Sequence, residues 1–238
     1  MTYHFLVRGR NCQKYLKQCL MSILEQPAEV VVHLSLDDPQ DDSLELAAFF
    51  HNKSKNLFIN INEKRLGLCG NMWFTMQLIK QSADPEDIVC IVDADDYLHP
   101  RAVKYVEKQY KYARTLVTHG SYLKLSKGRR TRVSKPYKSW ESIRTAPWRA
   151  SHLKTFKAKL IGSLNKEMFM HEGEWLDAAS DLALMFPLCE LAGWDRVRFV
   201  EKMIYNWRDN TPYKTKIKKQ SKCERILRAK VPVSRYCE

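Results

Sequence analysis

Apolar residues arrive along the chain in short runs, set apart by polar stretches of helical length. "YHFLV" (3–7), "VVVHLSL" (30–36), "LFINI" (57–61) and "IVCIV" (88–92) are rich in β-branched residues and read as strands. Between the first two, "QKYLKQCLMSILEQ" (13–26) sets Leu16, Cys19, Leu20, Ile23 and Leu24 at helical spacing, and Pro27 stops it. A polar helix over about 41–52 and a further helix, "CGNMWFTMQLIKQ" (69–81), fill the other two gaps. Strand and helix thus alternate four times. That rhythm predicts an α/β fold with a mostly parallel Rossmann-type sheet and helices on both faces. In such sheets ligands bind beyond the carboxyl ends of the strands. Asp37, Asp38, Arg65 and the aspartates after "IVCIV" all fall there, so one crevice should gather them.

The chain has 238 residues, 45% of them apolar, which suffices for a single domain with a real core. No run is long or early enough to read as a membrane span or a secretion signal. The seven cysteines form no CxxC pair, so neither a zinc site nor a disulfide framework is indicated. Cys19 and Cys90 fall inside apolar patterns and read as buried thiols. A reduced, cytoplasmic setting fits this usage.

"IVCIVDADDYLHP" (88–100) carries the sharpest chemical signal. A buried strand opens directly onto Asp93, Asp95 and Asp96, three like charges that need a positive partner. Aspartate is a good turn former and helix cap, which accounts for one of them. Three together suit an oxygen-rich site for Mg²⁺ or Mn²⁺, ions that keep waters and bind substrate phosphates.

Four blocks in order, "LVRGRNCQKYLKQCLMSILEQ", "DDPQDDS", "EKRLGLCGN" and "VDADDYLHP", resemble family-2-type glycosyltransferases with the GT-A fold. The resemblance spans about the first hundred residues, and "ASDLALMFPLCELAG" extends it to the acceptor side. It implies a nucleotide-sugar donor, a divalent ion and transfer to a hydroxyl, usually with inversion. It implies that Asp37 and Asp38 hold the base and ribose, that Arg65 also reaches the nucleotide, and that Asp93 lies near the ribose. Asp95 would ligate the metal, and Asp181 would be the general base. Two positions depart from the pattern: Arg8 stands where a proline is usual, and Ser180 where a glutamate usually precedes the base. His152 lies in "RASHLKTF", which is similar to a segment common among such enzymes; a neutral imidazole there could ligate the metal or touch the diphosphate. His33 and His119 read as packed or surface residues.

Charge divides the chain unevenly. Residues 1–100 hold nine Lys/Arg against fourteen Asp/Glu, whereas 101–159 hold seventeen against two. The net charge of +13 therefore lies almost wholly in the middle. A run of this kind is either a solvated face or a surface for a polyanion. The expected organisation is a nucleotide-sugar half (1–100), an acceptor-side half of the same domain (101–213) and a basic C-terminal tail (214–238). "SKGR" (126–129) reads as a hairpin turn presenting Arg129, Arg130 and Arg132, with Trp148 among the aromatics nearby. Cationic and aromatic side chains together suit phosphate backbones and exposed bases. The expected partners are thus a nucleotide-sugar donor and, on the first reading, duplex DNA bearing a hydroxymethylated base. Enzymes of that kind belong to viruses with modified DNA, which would put this one in a bacteriophage and its host's cytoplasm. A surface polysaccharide or lipid-linked glycan is the second acceptor class. A silent nucleic-acid-binding protein on the same scaffold is the third reading, and the intact aspartates speak against it.

Overall fold

Each apolar run becomes a strand in the computed structural model, which describes residues 1–112, 114–125, 134–137, 143–208 and 213–237 and, of 213–217, the backbone alone. The first half reads β1 (Tyr3–Gly9), α1 (Gln13–Leu24), β2 (Val30–Asp37), α2 (Ser43–His51), β3 (Leu57–Asn62), α3 (Gly67–Ser82) and β4 (Ile88–Asp93). The second reads β5 (Tyr97–Leu98), α4 (Ala102–Tyr110), β6 (Val117–Lys124), β7 (Ser151–Lys157), β8 (Met170–His171), β9 (Glu174–Trp175), α5 (Ser180–Ala192), β10 (Val197–Trp207) and α6 (Tyr213–Ala229).

One eight-stranded sheet runs β3-β2-β1-β4-β7-β6-β10-β5. β1 to β4 pair in parallel, as the alternation predicts. β7 enters antiparallel to both β4 and β6, so the sheet is mixed beyond β4. The central strands β1, β4 and β7 are buried along almost their whole length because both their faces are covered. On β4, Ile88, Cys90 and Val92 join the core beneath α1, α2 and α4, while Val89 and Ile91 join the core beneath α3 and α5. The basic C-terminal stretch is not all tail: α6 buries Cys223 and Leu227 in that second core. Cys19 and Cys90 are buried free thiols, as read from the pattern. Among the described residues no helix is long and apolar enough to cross a membrane.

Candidate functional site

Parallel pairing of β1 with β4 sets Arg8 beside Asp93 at the strands' carboxyl ends. Arg8 Nε donates to Asp93 Oδ1 at 2.9 Å. The same guanidinium donates to the Ser180 hydroxyl at 2.8 Å and to the Leu68 carbonyl at 3.3 Å, and stands 3.5 Å from Asp181 Oδ1. Arg8 is only 5% exposed, so its charge needs those carboxylates to offset the lost hydration. The chain leaves β1 through Gly9, where a Cβ would meet that of Ala94 at 2.6 Å; only glycine lets the two strand ends close up.

Asp181 enters from the opposite side, in the first turn of α5, after a left-handed Ala179. It caps nothing: its oxygens face cations. Lys154, from the middle of β7, has no exposed surface and brings Nζ to 3.0 Å from Asp181 Oδ2. The ammonium also lies 3.0 Å from His152 Nδ1. Burial would raise the Asp181 carboxyl, but Lys154, then His152 and Arg8, outweigh it and hold the group well below the usual carboxylate range. Asp93 is likewise held low against its burial, chiefly by Arg8. Burial, seconded by Lys154, pushes His152 down to about 4, so the ring is neutral. It stacks on Tyr205 with centroids 4.3 Å apart.

The aspartate turn finds its positive partners in Arg8 and Arg208. The Arg208 backbone N–H donates to Asp96 Oδ1 at 2.7 Å, and its guanidinium donates to the Asp95 carbonyl at 2.5 Å. That guanidinium sits 4.8 Å from the ring centres of both Tyr15 and Tyr97. Asp96 also accepts the Tyr205 hydroxyl at 2.8 Å. Burial, then Asp93 and Asp95, pushes its carboxyl up to about 8. Asp96 is therefore the structural member of the trio. Asp95 is partly exposed and lines a cavity of about 450 Å³ with Asp93, His152, Asp181 and Arg208. A second cavity of about 630 Å³, lined by Asp37, Arg65, Asn71 and Lys219, shares Arg8, Gly9, Arg10 and Leu68 with the first. The two form one cleft along the strand ends.

The expected residues fare differently within it. Arg65 is exposed and lines the cleft, as anticipated. Asp37 also lines it, but its two oxygens accept the backbone N–H groups of Leu66 and Gly67, each at 2.9 Å, and so fix the start of α3. Asp38 acts through Arg10, whose guanidinium it holds at 2.8 Å on the rim. His152 is in the cleft, with its nitrogens 3.0 and 3.4 Å from the Lys154 ammonium. Among the described residues no three His, Cys, Asp or Glu are grouped to hold an ion. Trp148 is partly buried: it packs edge-on to Phe186 at 5.8 Å, against the core beneath α3 and α5. Arg129, Arg130 and Arg132, with the "SKGR" turn, lie outside the described residues. His33 and His119 are buried, His33 against His4 and Phe58.

Arg8, which lines the cleft, and Lys154, buried behind Asp181, escape the sequence reading. Arg8 registers there only as a departure from a pattern, and Lys154 only as one more charge in a basic segment. A lysine inside the apolar run "SHLKTF" is nonetheless a signal, since a strand buries such a charge only opposite a carboxylate.

The model of the family described as glycosyl transferase family 2 matches residues 9–167. Among solved structures, that of S. aureus TarS 1-349 in complex with UDP-GlcNAc aligns over 90% of this chain and 60% of that one, at 20% identity and a TM-score of 0.69. The complex of TarS 1-349 with UDP aligns over 87% and 60%, at 19% identity and a TM-score of 0.66. The TarS structure that is not limited to 1-349 aligns over 37% of its length, at 20% identity and a TM-score of 0.65. This chain thus spans well under two thirds of those proteins, and the likeness is one of fold. No curated protein matches it in sequence.

Proposed function

The chain belongs to glycosyl transferase family 2, and from that premise we propose that it moves a sugar from a nucleotide-sugar donor to an acceptor hydroxyl in one displacement. The observation that carries this reading is the continuous cleft. It joins the Asp37–Arg65 end, sized for a nucleoside, to the Asp93–Asp95 turn and then to Asp181. UDP-GlcNAc, the ligand of the similar TarS structure, is the first donor to try.

The roles follow from placement. Arg65 and the Arg10 that Asp38 holds supply positive charge to the nucleotide. Asp181 is ionised at any working pH because Lys154 and Arg8 flank it, so it is always ready to accept the acceptor's proton. No covalent nucleophile is required. The donor set also fits a divalent ion. Asp95 lines the cleft beside Asp93 and Asp181 and is partly exposed there. Mg²⁺ or Mn²⁺ held by one carboxylate and the donor's phosphates is ordinary coordination for these ions. Such an ion would supply charge stabilisation to the departing diphosphate. Asp95→Asn and a chelator should each reduce transfer to background without unfolding the protein. Full activity in either case would remove the ion from the account.

The acceptor we favour is a hydroxymethylated base in duplex DNA, on the strength of the seventeen-to-two charge of 101–159. Replacing Arg129, Arg130 and Arg132 by Ala should then flatten the slope of log affinity against log salt on duplex DNA by up to about 2.7 units, at about 0.9 per phosphate contact. Duplex binding that is absent in the native protein, or indifferent to salt, would move the acceptor to the glycan class.

A further inference from the structure

A lysine without exposed surface is rare, and this one is not spent on the fold alone. Lys154 projects from β7 at the position paired with Ile91 of β4, two residues before Asp93. Its ammonium meets Asp181 Oδ2 at 3.0 Å and His152 Nδ1 at 3.0 Å, and among the described residues no other ion pair is as close to either. The other oxygen of Asp181 is buried, makes no hydrogen bond among the described residues, and stands 3.5 Å from Arg8. Arg8 is itself turned mainly toward Asp93 and Ser180. Among the described residues Lys154 is therefore the closest tether on the Asp181 carboxylate. Without it, Asp181 would turn to the nearest remaining cation, Arg8, and draw that guanidinium away from Asp93.

We propose that Lys154 is a positioning residue for the transfer step: it fixes the direction in which the Asp181 carboxylate meets the acceptor, and leaves Arg8 to hold the donor-side Asp93. This rests on the reading of Asp181 as the base. The chemistry favours a role in direction. A carboxylate flanked by two cations is a weak base, so its contribution depends on being aimed at the hydroxyl. A misplacement of about 1 Å costs on the order of a hundredfold in rate. The proton itself passes from the acceptor oxygen to Asp181; Lys154 keeps its own.

The test uses the full chain with UDP-GlcNAc as donor and water in place of the acceptor hydroxyl, so no acceptor need be known. Lys154→Met should lower the hydrolytic kcat about a hundredfold while the Kd for UDP, measured by calorimetry, stays within about threefold. Ethylammonium added to Lys154→Ala should restore part of the lost kcat by returning a cation to the vacated space. UDP binding doubles as the check that the variant is folded; should Lys154→Met not fold, Lys154→Gln is read in the same way. Asp181→Asn is run beside them. If Asp181→Asn loses turnover while Lys154→Met keeps it, the positioning role is wrong and the base stands. If Asp181→Asn keeps native turnover, the base falls and the role of Lys154 falls with it. Loss of UDP affinity in parallel with kcat in the Lys154 variants would also overturn the proposal, because it would make Lys154 part of the general fold of the cleft.

Discussion

The half built on β1 to β4 and the half built on β6, β7 and β10 meet in one cleft, but they are assembled by different rules. In the first, all the strands are parallel, a helix covers every crossover, and β4 returns to lie beside β1. Its cleft residues sit at strand ends by construction. In the second, β7 is inserted antiparallel between β4 and β6, and its working residue is in mid-strand. What joins the halves is Arg8, which reaches Ser180 across 172 positions of chain and lies between Asp93 of one half and Asp181 of the other. Even Arg8 and Asp93 meet across 85 positions of chain, so both sides of the cleft depend on contacts that only the completed fold supplies.

The largest expected effect separates the halves. Asp181→Asn should cost on the order of 10²–10⁴ in kcat, the usual worth of a general base, and leave UDP affinity unchanged. Loss of UDP affinity instead would put Asp181 on the donor side and dissolve the division. Next comes the residue that joins them. Arg8→Met leaves two carboxylates without their shared cation, and removing one member of a buried pair costs about 3–5 kcal/mol. Denaturant unfolding should register most of that loss, together with a fall in turnover. A variant as stable as the native protein would mean that Asp93 and Asp181 do not depend on Arg8.

A smaller effect concerns the first half alone. Burial, with His4 close by, pushes His33 down to about 4; His4 lies 3.1 Å away and is itself bonded to Asp87. The fold favours the neutral ring, so this contribution is complete above the ordinary value of 6.5 and is lost as pH falls toward 4. His33→Gln should flatten the dependence of stability on pH across that window by up to about one proton, read as the change in urea midpoint. An unchanged slope would assign the acid sensitivity to other groups, such as the buried His119 of the second half.

The sequence discloses these regions unequally, for the same reason. The four strands, the three helices between them and the aspartate turn are written in local periodicity, and each is found within a few residues of its expected bounds. The GT-A-like sheet and the family follow from the order of short blocks. The packing of Trp148 is not legible, because an aromatic in a basic segment looks the same whether it faces solvent or Phe186. The backbone bonds of Asp37 are not legible either, because a carboxylate at a strand end serves a nearby backbone as readily as a nucleotide. The ion pairs of Arg8 and Lys154 pass unremarked because their partners lie far away in the chain, and no periodicity encodes an ion pair between β7 and the start of α5.

The central claim is that one cleft holds the donor along the ends of β1, β2 and β4 and presents it to Asp181. A crystal structure of the protein soaked with UDP and Mn²⁺ tests it most directly. The account predicts the nucleoside at the Asp37–Arg65 end, the diphosphate at Asp95 with the ion between them, and Asp181 still held by Lys154 on the far side. A nucleotide bound anywhere else on the protein, or a diphosphate lying away from Asp95, would contradict it.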